Sequence, residues 1–581
     1  MVARAAAFLR ALLDHPRHLA WAIAAAMLLG LPALGGGFVA DDWFHRANLD
    51  PASTLLPEGR GPLFEMFNFF PADREFLLRS SDQGMFPWWV DPDIRGGFLR
   101  PLSALTHWVD WRLFGEHPVV HHLHSLLWVA ACIAAAGAFF RAWLGPGRVA
   151  ALATVLFALD DAHAWPTAWL ANRNSLVAMT FGLLAAAAHV RARAGGGSRP
   201  RALAIGAFAA ALLSGESGVA AGALLAAVEF GWPEPLRERL LRLLPYVAVG
   251  AVWLVAWKLG GYGISGSGLY VDPFRSPVRF LALLPERLGA LTGALWWNLG
   301  VDFWVFLPEE VSLGLGLAFG IGSVAALWWV SGGRPNDLRS GQALVMAFLC
   351  LVPPSAAFPM ERVLTFAGVG AAAWFALLLV PALEAGLPRW RDRLVLGWHL
   401  PLSAFVLLAK AFAVPMFMGQ LGAVVAAVPS DPAVVDDQLV ILSGLEITTA
   451  YIPIERELRG VPAPRDMLVL APASARLTVT REDDRTLRLD AETPMFRHAI
   501  ERLCREAPLP AGTEVATNVA RVRVLADDGA GHPTSIRASF PESLDSPRYR
   551  WLGPSVGTLV PFVPPAVGAS VQLDAYLPLP D

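Results

Sequence analysis

The feature that most constrains this chain is a series of apolar runs, each near bilayer-crossing length, with arginines gathered at every second connection. A membrane-crossing helix needs about 20 mainly apolar residues. The first run is read at 18–39, and further runs follow near 119–140, 147–162, 173–190, 202–215, 217–231, 243–259, 311–331, 341–357, 363–384 and 393–415. Arg4, Arg10 and Arg17 precede the first, which places the N-terminus in the cytoplasm by the positive-inside rule. Arg141 and Arg148, then Arg191, Arg193, Arg199 and Arg201, then Arg237, Arg239 and Arg242 mark the next cytoplasmic connections. Arg334 and Arg339, and finally Arg389, Arg391 and Arg393, mark the last ones. The expectation is a polytopic α-helical membrane protein of about eleven spans with its C-terminus outside. The first run is not read as a signal peptide, because Phe38 is large where a cleavage site wants a small residue.

Composition agrees. Of the 581 residues, 55% are hydrophobic and 16% charged, and the mean hydropathy is +0.47. A soluble chain carries about 25% charge. The net charge of −3 gives no reason to expect nucleic acid as a partner. Cys132, Cys350 and Cys504 lie far apart and read as buried small side chains rather than a disulfide framework or metal cluster. The Ala-, Arg- and Gly-rich style points to a bacterial inner membrane.

The membrane domain is read over 1–428, with a large first extracytoplasmic loop at 41–117 and a second at 260–310. Within the second, 277–298 carries Arg279, Glu286 and Arg287 on an amphipathic pattern and is placed outside, partly on the membrane surface. From 429 to 581 the pattern changes to short alternating runs, as at 476–480, 519–524 and 571–576, which read as half-buried strands. A helix is expected at 495–505. This second domain reads as soluble, β-rich and extracytoplasmic, and no catalytic motif is found in it.

The residues that could do chemistry cluster on one side. Asp41 and Asp42 follow the first span directly. Carboxylates there can simply end a helix in water. They can also act as a general base toward a lipid-borne substrate, or hold a divalent cation beside a phosphate. Asp42 is slightly favoured as the base, since Asp41 is nearer the helix end. Arg100, Asp161, His163, Arg173, Glu216 and Arg362 all fall at outer helix ends, as do Asp41 and Asp42. Ionisable residues gathered on one side of a helical bundle mark a candidate substrate site.

The order of these residues resembles the GT-C glycosyltransferases, and within them the protein O-mannosyltransferase-like branch. The likeness is to the membrane part of the tetratricopeptide-repeat-linked enzymes and their bacterial relatives. It rests on the acidic pair Asp41-Asp42, on Arg100-Pro101-Leu102, and on Leu113-Phe114-Gly115 with Pro118 and His122-Leu123. It continues with Leu159, His163, Ala168-Trp169 and Arg173, then Leu213-Ser214 with Glu216, then Glu361-Arg362 with Leu364. It covers roughly 20–385 and departs at five places. Asp160 and Asp161 stand where the family has histidine and proline, Trp165 replaces a glutamate, Gly215 a lysine and Thr365 a tyrosine. The missing glutamate leaves any second carboxylate to Asp160 or Asp161, and the β-rich domain stands in place of the repeats.

The resemblance implies transfer of a sugar, with inversion, from a polyprenyl-phosphate donor to an extracytoplasmic protein, lipid or glycan acceptor. Arg362, Arg100 or Arg173 would clamp the phosphate, since a guanidinium forks onto it well. Asp41 or Asp42 would deprotonate the acceptor or, alternatively, hold a divalent cation. Trp43, Trp88, Trp89 and Trp165 are candidates for stacking on sugar faces, although anchoring at the membrane surface is the commoner role. Two other readings use the same spans and charges: a transporter or scaffold of a glycan pathway, and a degenerate member that only holds lipid.

Overall fold

A computed structural model describes residues 2–56, 59, 61–332, 337–387 and 389–579, so Arg334 lies outside the described residues. Every one of the eleven apolar runs is helical. Among the described residues, seven helices are long and apolar enough to cross a membrane: His18–Gly35, Pro118–Leu144, Leu170–Gly196, Leu236–Leu259, Glu309–Ser331, Thr365–Glu384 and Trp390–Ala427. The other four are Arg148–Ala158, Ser198–Ser214, Val219–Glu229 and Leu338–Leu351, with 11, 17, 11 and 14 residues. They are short for a shared reason. Each has one end at a break into 3-10 turns: Arg148–Ala158, Ser198–Ser214 and Leu338–Leu351 stop before Asp161–His163, Glu216–Gly218 and Pro353–Ala356, and Val219–Glu229 begins after Glu216–Gly218. Irregular backbone at that depth is tolerated only where protein buries it or it lines a cavity.

Six helices position the site. They are α1 (Asp41–Leu49), α2 (Arg173–Arg191), α3 (Pro277–Trp297), α4 (Thr365–Glu384), α5 (Ser403–Ala427) and α6 (Tyr451–Leu458). A helix apolar on all sides must be surrounded. That holds for α4, which is 89% buried over its most apolar stretch, whereas Leu236–Leu259 is 6% buried and turns its valines and leucines outward.

The amphipathic segment expected on the membrane surface is instead α3, packed into the bundle. Its residues from Glu286 to Trp296 are almost all buried. Gly289 lies directly against Gly316 of the neighbouring helix, and Gly293 against Phe319. Small residues let two backbones approach this closely in membrane bundles. Trp296 packs on Trp374 and Phe375, midway along α4. There Asn298 takes the left-handed conformation and ends the helix, and the chain climbs back to Pro308, which bridges to His498 of the C-terminal domain. This is a re-entrant element, held by glycine contacts that a surface helix would not need.

The first loop and the second share a small antiparallel sheet of β1 (Asn68–Phe70), β2 (Arg95–Gly97) and β3 (Gly263–Ser265). The C-terminal domain is rich in sheet, as the alternating runs indicate. One sheet has four strands in the order β12-β11-β4-β5, the other six in the order β13-β6-β7-β10-β9-β8. Here β4 is Gln438–Gly444, β5 Asp466–Pro472, β6 Leu477–Asp483, β7 Thr486–Ala491, β8 Glu514–Ala516, β9 Arg521–Asp527, β10 Pro533–Ser539, β11 Tyr549–Ser555, β12 Thr558–Pro561 and β13 Ser570–Leu573. Alternation finds only the second sheet. In the first, β4 runs parallel to β5 and β11 and is buried on both faces, so it reads as an unbroken apolar run. The helix expected at 495–505 is only a 3-10 turn at Ala499–Arg502, because Phe496 sits at a φ of 65° and His498 is held by the bridge to Pro308.

Trp88 and Trp89 belong to the core of this second domain. Trp88 donates to the Leu470 carbonyl at 3.0 Å and Trp89 to Glu446 at 2.5 Å. Trp43 is buried in a neighbouring core with Phe44 and Ile454. Three of the four tryptophans considered for sugar stacking are therefore packing residues, and the first loop is pinned to the C-terminal domain by its own indoles.

Candidate active site

A cavity of about 960 Å³ lies between the membrane helices, the two loops and the C-terminal domain. Most of its wall is apolar. Asp41, Arg100, Glu216 and Arg362 line it, and Asp42, Asp161, His163 and Arg173 do not. Its rim includes the exposed side chains of Val219, Phe274, Phe303, Val352 and Phe417, which open it toward the apolar flank of the bundle.

The two aspartates begin α1, and one residue of helix turns them about 100° apart. Asp42 is 3% exposed and accepts N–H bonds from Val39 at 3.1 Å and Ala171 at 2.8 Å, one on each oxygen. It ties α1 to the turn before α2. Burial pushes its carboxyl up to about 8. Asp41 faces the cavity. Its Oδ1 accepts a hydrogen bond from the Tyr451 hydroxyl of α6, and among the described residues no partner meets Oδ2. Burial raises its pKa, opposed by the Tyr451 bond and by the charges of Arg362 and Arg100.

Arg362 follows Glu361 in a 3-10 turn before α4. Its guanidinium lies over the rings of Trp169 at 5.3 Å and Phe358 at 5.8 Å. It makes no ion pair among the described residues, and its Nε is buried without a hydrogen-bond partner. The residue as a whole is half-buried, so its guanidinium can still meet an anion in the cavity. Arg100 is different. Its Nε donates to Glu216 at 2.7 Å, and its guanidinium stacks 4.1 Å over Phe98. Glu216 also accepts from the Leu99 backbone at 3.1 Å, so the pair is a self-satisfied wall of the cavity.

The remaining candidates are structural in their contacts. Arg173 is 0% exposed and spends its donors on Asp110 at 2.5 Å, the His121 carbonyl at 2.7 Å and Ser125 at 3.0 Å. It locks α2 to the helix Pro118–Leu144, with each of its three nitrogens bonded inside the bundle and away from the cavity. His163 is bonded to the Phe157 carbonyl at 2.8 Å and packs on the Phe157 ring, and burial lowers its pKa. Asp161 accepts from Lys410 at 2.5 Å and Asn298 at 2.7 Å.

Lys410 and Asp302 escape a sequence reading, yet they hold Arg362 in place. Lys410 of α5 joins Asp161 to Glu361. Asp302, on the return of the re-entrant segment, accepts from the Glu361 backbone at 3.0 Å and from Trp165 at 2.6 Å. The Glu361-Arg362 turn is thus clamped on both sides. A lysine inside an apolar run is itself a signal, since such residues rarely face lipid. Nothing in the local sequence marks Tyr451.

A divalent cation shared by Asp41 and Asp42 would meet an Asp42 whose oxygens already accept backbone N–H bonds. This leaves Asp41 alone on the cavity. No group of three or more His, Cys, Asp or Glu among the described residues could hold a metal.

Two solved structures are similar over most of the chain. The crystal structure of ArnT from Cupriavidus metallidurans bound to undecaprenyl phosphate is 14% identical, with a TM-score of 0.35, over 75% of this chain and 84% of that one. The crystal structure of the Archaeoglobus fulgidus oligosaccharyltransferase tethered with an acceptor peptide is 14% identical, with a TM-score of 0.36, over 78% of this chain and 63% of that one. No family model matches the chain, and no curated protein does.

Proposed function

We propose that the chain is a membrane glycosyltransferase that moves a sugar from a polyprenyl-phosphate donor to a hydroxyl acceptor on the extracytoplasmic side, inverting the anomeric centre. One observation carries the reading. Across a single apolar cavity, a carboxylate with a free oxygen, Asp41, faces a guanidinium with no anionic partner, Arg362.

The chemistry follows from these two groups. The acceptor oxygen attacks the anomeric carbon and its proton passes to Asp41. The bond from that carbon to the phosphate oxygen breaks, and the electron pair leaves with the phosphate, which gains a negative charge. Arg362 meets that charge as it develops, in a site with little water to compete. The apolar wall and the apolar rim suit a polyprenyl chain entering from the membrane. Attack from the side opposite the phosphate gives inversion.

Arg391 supplies the control for a test. It lies at the opposite face, bonded to the Trp329 carbonyl at 3.0 Å and stacked on that indole. In membrane vesicles at matched expression, Arg362→Ala is expected to lower transfer from a polyprenyl-phosphate sugar by about 100-fold or more, as loss of a charge-stabilising donor does. Arg391→Ala should leave it near wild type. Equal effects of the two would remove Arg362 as the phosphate clamp.

A further inference from the structure

The C-terminal domain does more than cover the cavity. Its helix α6 is held from two sides. On one side, Ile454 packs with Trp43 and Phe44, Glu457 accepts from the Thr54 backbone at 2.8 Å, and Arg459 lies 4.9 Å over the Trp43 ring. On the other side, Arg456 donates to the carbonyls of Val428 at 3.1 Å, Pro429 at 2.6 Å and Pro462 at 2.7 Å. The first residue of this fixed helix is Tyr451, which lines the cavity and donates its hydroxyl to Oδ1 of Asp41.

We propose that Tyr451 is a positioning residue for transfer: its hydroxyl holds one oxygen of Asp41 so that the other, Oδ2, points at the acceptor, and the C-terminal domain thereby completes the active site. The inference rests on Asp41 being the base. A carboxylate at the start of a helix can rotate about its side-chain bonds, and a single fixed donor on one oxygen removes that freedom. A phenol suits the task. Burial and the neighbouring Asp41 keep its proton on, so it stays a donor through the working pH range.

The groups around Asp41 set the sign of the effect. Asp42 is on its own helix, Arg362 comes from the turn before α4, Arg100 with its partner Glu216 from the far wall, and Cys504 lies behind Tyr451. Burial raises the Asp41 carboxyl, and the Tyr451 bond is the largest influence opposing it. Removing that bond lets the carboxyl rise further, so the base is lost to protonation at a higher pH. A residue that merely supported the helix would lower the amount of active protein and leave the pH dependence where it was.

The test uses the full-length protein in membrane vesicles, with polyprenyl-phosphate hexoses as donor probes, and compares Tyr451→Phe, Ile454→Ala and Asp41→Asn. Tyr451→Phe is expected to lower kcat by about 10- to 100-fold, the worth of a hydrogen bond to a charged group. The acid limb of the pH profile should move up by about one to two pH units, with the donor KM unchanged. Ile454→Ala, on the same helix, should lower the amplitude without moving the limb. A substrate-free readout accompanies these: the protonated-carboxyl infrared band that Asp41→Asn removes from the purified protein should persist to higher pH in Tyr451→Phe. Wild-type kcat and limb in Tyr451→Phe, or a band that titrates as in the wild type, would overturn the inference while leaving Asp41 as the base. Wild-type transfer in Asp41→Asn would instead overturn the base itself.

Discussion

At the residue scale, the site separates charged groups that are satisfied from those that are not. Arg173 and Arg362 look alike as arginines at helix starts, yet Arg173 is ion-paired in the interior while Arg362 makes no ion pair among the described residues and lies over two aromatic rings. Their substitutions should therefore fail in different ways. Removing one partner of a buried ion pair costs about 3–5 kcal/mol, because the other charge is left behind. Arg173→Ala is expected to lower the thermal stability of the purified protein and its yield, since Asp110 would lose its cation. Arg362→Ala should elute and melt like wild type while losing transfer. A melting profile of Arg173→Ala equal to that of wild type would contradict the structural role. The sequence brings all eight candidates to one side of the bundle. It does not tell which of them turn inward, because that depends on helix rotation. Asp41 and Asp42 are adjacent in the chain, yet one meets the cavity and the other meets backbone N–H groups.

At the scale of elements, hydropathy finds each helix but not where it stops. The short helices end where the chain is needed to build the cavity, at the turns bearing Asp161, Glu216 and the segment before Glu361. The re-entrant α3 reads as amphipathic because one part of it is buried against glycine-rich neighbours and the other is exposed, a pattern that a surface helix shares. The join between the membrane domain and the sheet domain is also hidden in the sequence. It is made by α5 running up to Ala427 and by Arg456, which covers the carbonyls at its end. A cation at a helix C-terminus satisfies carbonyls that have no partner within the helix. Arg456→Ala should loosen this joint. Limited proteolysis is expected to cut the 428–437 connection faster in this variant than in the wild type. Unchanged cleavage would mean that Arg456 does not hold the two domains together.

At the scale of the whole molecule, helices, loops and sheet domain each supply one part of the same cavity. The membrane domain contributes Arg362 and the apolar wall, the first loop contributes Asp41 and Arg100, and the C-terminal domain contributes Tyr451. The membrane class can be read from hydropathy, and a sheet-rich C-terminal region from the change to alternating runs. The meeting of Tyr451 with Asp41 cannot, because the two are far apart in the chain and only the docking of α6 on the first loop brings them together. The central claim is that Asp41 removes the acceptor proton at this junction. The direct measurement is transfer in membrane vesicles by Asp41→Asn and Asp42→Asn at matched expression. An amide cannot accept the proton, and losing a general base costs about 10²- to 10⁴-fold. Asp41→Asn should lose transfer to that extent while inserting and purifying normally, and any Asp42→Asn protein that folds should keep transfer within a few-fold of wild type. Wild-type transfer by Asp41→Asn would contradict the account.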